Sequence, residues 1–130
     1  MMLIDANVVL RYLLDDHQEL SARAAAVIES RNAVMPMEVA CEVVYVLEKV
    51  YKTERRLIQR HLSELVSSRL LAVDKDKDAV LLKALELYGA TAFDFVDTLL
   101  WSYHVVEQQD VLTFDEKLRK RIERHDSLPQ

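Results

Sequence analysis

The chain is predicted to be an α/β protein: a short parallel sheet of about four strands, covered by helices on both faces in a three-layer α/β/α arrangement. Three observations carry this. Short apolar runs alternate with longer stretches of helical periodicity along all 130 residues. A single glycine and two prolines leave too few turn formers for an all-β sandwich. Strands separated by helices pair in parallel, and a parallel sheet buries both of its faces.

The elements follow in order. "MLI" before Asp5 reads as a first buried strand, placed in the middle of the sheet, and "ANVVLRYLL" as the helix after it. Gln18 to Ser30 has Leu20, Ala24, Val27 and Ile28 on one helical face. "AVMP" is a second strand, and Pro36 suits the first turn of a helix that reaches about Tyr51. Val39, Val43, Val46, Leu47 and Val50 form the core stripe of that helix. A helix over about Thr53 to Ser67 leads to a third strand, "LLAV". "DKDKDAVLLKALELYG" reads as a helix with Asp74 or Asp76 near its start and Gly89 just past its end. "FDFVDTLLWSYHVV" is apolar nearly all round and reads as a buried helix. "DVLTF" is a fourth strand and "DEKLRKRIERH" a last amphipathic helix, after which "DSLPQ" is expected to fray. This length suits one domain, 1–130, with one core.

Composition excludes several chemistries. A lone glycine rules out a Gly-rich phosphate loop or dinucleotide fingerprint. Cys41 is the only cysteine, so neither an internal disulfide nor a thiolate zinc cluster can form. His17, His61, His104 and His125 lack ligand spacing, and His104 reads as a packed or hydrogen-bonded histidine. The N-terminus lacks signal-peptide character, and no uncharged apolar run approaches the ~20 residues of a membrane helix, so a cytoplasmic location without a membrane partner is expected. The net charge of -5 argues against bulk coating of nucleic acid, yet Lys52 to His61 and Lys117 to His125 are locally basic.

The acids are the unusual feature. Asp5 and Asp115 each follow an apolar run and precede a helix, where an Asp commonly caps. "TAFD" resembles a capping box built on Thr91 and Asp94. In an open parallel sheet, however, all strand-to-helix junctions share the edge where ligands bind. If their strands are neighbours, Asp5 and Asp115 face each other, an unfavourable arrangement unless a proton or a metal intervenes. On the helical wheel Glu42 borders the apolar stripe, whereas Glu48 falls on the solvent face. Asp97 is surrounded on its own face by Leu100, Trp101 and His104. Several carboxylates converging on one edge suit a hard divalent cation such as Mg²⁺ or Mn²⁺, which can hold a phosphodiester and activate water.

"LIDANVVLRYLL", "MEVACEVVYVLEKVY", "FDFVDTLLWSY" and "VLTFDEKL", in this order and spacing, resemble the PIN domain over essentially the whole chain, and most closely the small VapC-type toxins of bacterial toxin–antitoxin pairs. The resemblance implies a metal-dependent endoribonuclease with catalytic and metal-binding acids at Asp5, Glu42, Asp97 and Asp115. Asp94 would be accessory, and Asn7 and Thr113 match positions that orient the acids or the substrate. Residue 6 departs from the pattern: many members carry Thr or Ser after the first Asp, and here it is Ala6. The cofactor implied is Mg²⁺ or Mn²⁺, and the partners are RNA, a cognate antitoxin and a second copy in a homodimer. The basic segments become candidates for the RNA backbone. An aspartyl-phosphate phosphatase is disfavoured because it needs an acid where Asn7 stands. The alternative is an inactive PIN-like binding or scaffold domain, against which the intact set of four acids argues.

Overall fold

The computed structural model describes residues 1–128. Three strands, β1 (Met2–Leu3), β2 (Ala33–Met35) and β3 (Ala72–Val73), form one parallel sheet in the order β1-β2-β3. Met2 pairs with Ala33 and Leu3 with Val34; Val34 pairs with Ala72 and Met35 with Val73. All three residues of β2 are buried, as a central parallel strand covered on both faces requires. The α/β/α class expected from the sequence is thus the one observed.

The sheet differs from expectation at one edge. β1 is an edge strand rather than a central one, with Met2 57% and Leu3 64% exposed. Its missing neighbour is "DVLTF": among the described residues no backbone hydrogen bond joins 110–114 to β1. Side-chain packing accounts for this. Val111 is drawn into a second apolar cluster with Trp101, Leu118 and Ile122, away from the main core. Leu112 and Phe114 are left 86% and 92% exposed.

The helices are α1 (Ala6–Leu14), α2 (Gln18–Glu29), α3 (Met37–Lys49), α4 (Arg55–Ser67), α5 (Asp78–Ala90), α6 (Phe95–Glu107) and α7 (Glu116–Asp126). Each buries a stripe at helical spacing. In α4 it is Ile58, Leu62, Leu65 and Val66; in α5 it is Val80, Leu81, Ala84, Leu85 and Tyr88. The stripe of α3 is shorter than predicted, because Val43 and Leu47 are buried but Val50 is exposed. Pro36 stands at the N-cap of α3, just before its first turn, where its missing N–H leaves no bond unmade. Pro129 and Gln130, the end of "DSLPQ", lie outside the described residues.

With so little glycine, turns are built from other residues. Asp15, Arg31, Lys52, Arg69, Lys75, Asp76 and Gln108 all hold positive φ, a conformation that crowds any Cβ. Gly89 is not among them. It lies inside the last turn of α5 rather than past it, and a Cβ there would sit 3.2 Å from Cβ and Cγ of Gln59. Its role is close approach of α4 to α5.

Candidate active site

Two of the four acids cap helices. The Val8 N–H donates to Oδ1 of Asp5 at 3.2 Å, and the Leu118 N–H donates to Oδ1 of Asp115 at 3.0 Å. Both carboxylates are exposed, and each retains an oxygen that does not cap. Thr113 steadies the second of them, its Oγ1 accepting the Asp115 N–H at 3.1 Å.

Glu42 projects from α3 and is exposed. With Asp5 and Asn7 it lines a cleft of about 240 Å³ between α1 and α3, walled by Leu10, Arg11 and Tyr51. The wheel reading of Glu48 is reversed. That residue is half-buried, accepts a hydrogen bond from the Tyr88 hydroxyl, and pairs with Arg55 at 3.1 Å and Lys49 at 2.9 Å. The Tyr88 hydrogen bond, followed by the two cations, holds its carboxyl below the usual carboxylate range. Burial, then the Glu48 carboxylate, pushes the Tyr88 phenol up.

The remaining acids gather at the start of α6. Asp94 occupies the N-cap without a side-chain capping bond, so the predicted capping box does not form. Thr91 instead donates to the Leu87 carbonyl at 2.7 Å. Asp97, one turn on, is partly buried. Burial first, and then the neighbouring Asp94 and Asp115 charges, raise its carboxyl above the usual range. Asp94 and Asp97 line a second cleft with Cys41, Tyr45 and Lys49 of α3. The acids therefore fall into two neighbouring groups on either side of α3: Asp5 with Glu42, and Asp97 with Asp94 and Asp115.

The loop that carries Asp94 is tied down by a residue the sequence reading missed. Arg55, at the start of α4, donates from Nε to the Tyr88 carbonyl at 3.1 Å, from Nη2 to the Phe93 carbonyl and from Nη1 to Glu48. The signal was present at Tyr88, whose place on the α5 core stripe buries a hydroxyl that needs a partner.

By donor type these residues suit a hard divalent cation, since every ligand offered is a carboxylate oxygen. The crowding that raises Asp97 is also what a cation would relieve. Among the described residues no three His, Cys, Asp or Glu side chains converge on one point able to hold an ion. Mg²⁺ requires less, because it commonly takes one or two carboxylates and keeps several waters.

No helix among the described residues is long and apolar enough to cross a membrane. No curated protein and no solved structure matches the chain. The model of the PIN domain matches residues 2–123, nearly the whole chain. PIN domains are a nuclease superfamily that acts on RNA or other nucleic acid and generally uses divalent metal ions. The segments that hold Asp5, Glu42, Asp97 and Asp115 all lie within the match, and the chain belongs to the PIN domain family.

Proposed function

We propose that this protein is a single-domain, Mg²⁺- or Mn²⁺-dependent endoribonuclease whose catalytic acids are Asp5, Glu42, Asp97 and Asp115, and that it is the toxin of a type II toxin–antitoxin pair acting in the cytoplasm. The observation that carries the reading is electrostatic. Burial, then the Asp94 and Asp115 charges, raise the Asp97 carboxyl above the usual range, across α3 from a cleft that Asp5 and Glu42 share. An acidic cleft of this kind would repel a phosphodiester unless a cation were held there. A bound divalent ion supplies Lewis acidity and a more acidic water.

The chain's own groups have separable roles in this reading. Asp5 and Asp115 use one oxygen to cap and keep the other for the site, which fixes both carboxylates to rigid helix starts. Thr113 sets the backbone at Asp115, Asn7 offers an amide to the first cleft, and the Asp94 charge adds to the burial that raises the Asp97 carboxyl. The cleft acids are also the complement of a basic antitoxin segment, and a homodimer fits the family.

The separation of the acids into two groups is the observation that favours the second reading, a PIN-like domain that binds without cleaving. One assay decides. Labelled RNA is incubated with the wild type and with Asp97→Asn, in Mg²⁺, in Mn²⁺ and in EDTA. Cleavage only by the wild type with metal is expected. Cleavage that survives EDTA would overturn the metal mechanism, and none under any condition would leave the binding domain. Growth arrest on expression, relieved by a neighbouring small reading frame, tests the toxin role.

A further inference from the structure

α7 segregates its charges. Lys117, Lys120, Arg121 and Arg124 follow the i, i+3, i+4, i+7 spacing of one helix face. They line a pocket of about 360 Å³ with Thr91 and Phe93 of the α5–α6 turn. Arg119 points elsewhere and takes both nearby carboxylates, Glu116 at 2.7 Å and Glu123 at 2.6 Å. Among the described residues none of the four pocket cations pairs with a carboxylate. In a chain with 22 acids against 17 Lys and Arg, an acid-free cationic face is not what charge mixing produces.

The pocket lining also includes one aromatic ring, Phe93, backed by the buried Trp101. Phe93 packs edge-on against Trp101 at 5.9 Å, and the Arg121 guanidinium lies 5.9 Å from both ring centres. The other locally basic segment differs, since Arg55 is consumed by internal bonds.

We infer that this face of α7 is an anchoring site for the sugar–phosphate backbone of single-stranded RNA, separate from the acids and aimed at them. A cationic groove beside an aromatic surface is the chemistry that tracks an unpaired strand. Its direction follows from the helix. Lys117 stands two residues past Asp115, and the stripe runs on from there for ~10 Å at the helical rise. A strand held along it is led toward the end of α7 that carries an acid of the site. The cations offset the repulsion that the -5 chain imposes on RNA as a whole. An acidic protein segment would use the charges but has less use for the Phe93 ring beside them.

The inference rests on the nucleic-acid reading of the site, so its test avoids cleavage. Anisotropy of a short fluorescent single-stranded RNA is titrated in EDTA over a range of salt concentrations. The proteins are wild type, the triple variant Lys117→Gln, Lys120→Gln, Arg124→Gln, and Arg119→Gln as the control that removes a charge from the same helix outside the stripe. Arg121 is kept because it packs on Phe93 and Trp101. The triple variant is expected to bind at least about tenfold more weakly at low salt, with the salt slope reduced by about two, at ~0.7 per lost phosphate contact. Arg119→Gln is expected to match wild type. If circular dichroism shows the triple variant unfolded, Lys120→Gln alone is read for a slope change of ~0.7.

Affinity and slope unchanged in a folded variant would overturn the inference, and so would polyglutamate binding as tightly as RNA of equal charge. Stripe-dependent binding without metal-dependent cleavage would leave the inference standing and remove the nuclease reading. Cleavage with stripe-independent binding would do the reverse.

Discussion

The Arg55 guanidinium stacks 3.8 Å from the centre of the Tyr88 ring while its Nε donates to the Tyr88 carbonyl at 3.1 Å. One planar group thus holds a core side chain and, through Phe93, the turn leading to Asp94 and Asp97. Arg55→Ala is expected to cost about 1–3 kcal/mol, read by urea unfolding, since the part-buried Tyr88 and Phe93 carbonyls lose their donor and Glu48 loses one of its cations. Arg55→Lys is expected to rescue little of this, because an ammonium cannot make the planar stack and the fork together. RNA cleavage should fall in both.

Capping and catalysis can be separated at Asp5. Asn caps a helix about as well as Asp, so Asp5→Asn should leave the melting temperature near wild type while removing cleavage. Asp5→Ala should remove cleavage and also cost about 1 kcal/mol for the lost cap. A cleavage-competent Asp5→Asn protein would reduce Asp5 to a cap.

Asp97→Asn should abolish cleavage without loss of stability. Its carboxyl is raised by burial and by Asp94 and Asp115, so the ionised form opposes folding and this opposition grows as pH rises through the raised value. Replacing it with a neutral isostere should hold or raise the denaturation midpoint at neutral pH.

The attachment of α7 should depend on pH. His104 bonds through Nδ1 to the Gln109 carbonyl at 2.9 Å and through Nε2 to Asp126 at 2.6 Å. Two acceptors favour the doubly protonated ring, and the Asp126 bond, then the Gln109 carbonyl, raise its pKa above 6.5. The stabilisation is complete below the unfolded value and is lost as pH rises through the folded one. Protection factors of the α7 amides, which correct for the intrinsic rise of exchange with pH, should fall on going from about pH 6 to about pH 9, and His104→Gln should flatten that fall.

Arg69, exposed at φ 65, tests the strained turns. Arg69→Gly relieves the Cβ clash but loosens the unfolded chain, for a net gain of up to about 1 kcal/mol by thermal melting.

What could be read from the sequence was what depends on periodicity. The stripes of α4 and α5 and the buried run of β2 are local patterns, and so are the helix starts at Asp5 and Asp115. The errors lie where two distant segments compete for one partner. "DVLTF" alternates like a strand, but the bare edge of β1 did not win it because Val111 packs with Trp101, Leu118 and Ile122. Glu48 reads as a solvent acid until Tyr88 and Arg55 are brought to it from 40 and 7 residues away. The acids were found one by one, but their division on either side of α3 is a tertiary fact.

The strap between α6 and α7 has a practical consequence. Leu112 and Phe114 project into solvent on backbone outside any ladder, which is what a chymotrypsin-like protease needs in order to bind a chain in extended form. A single nick there would free a peptide that carries Asp115, Lys117 and the rest of α7, held by Leu118, Ile122, the packing of Arg121 on Phe93 and Trp101, and the His104–Asp126 bond. The α/β body would survive the cut with its core intact. Protease sensitivity at this strap therefore reports on whether the fourth acid is in place.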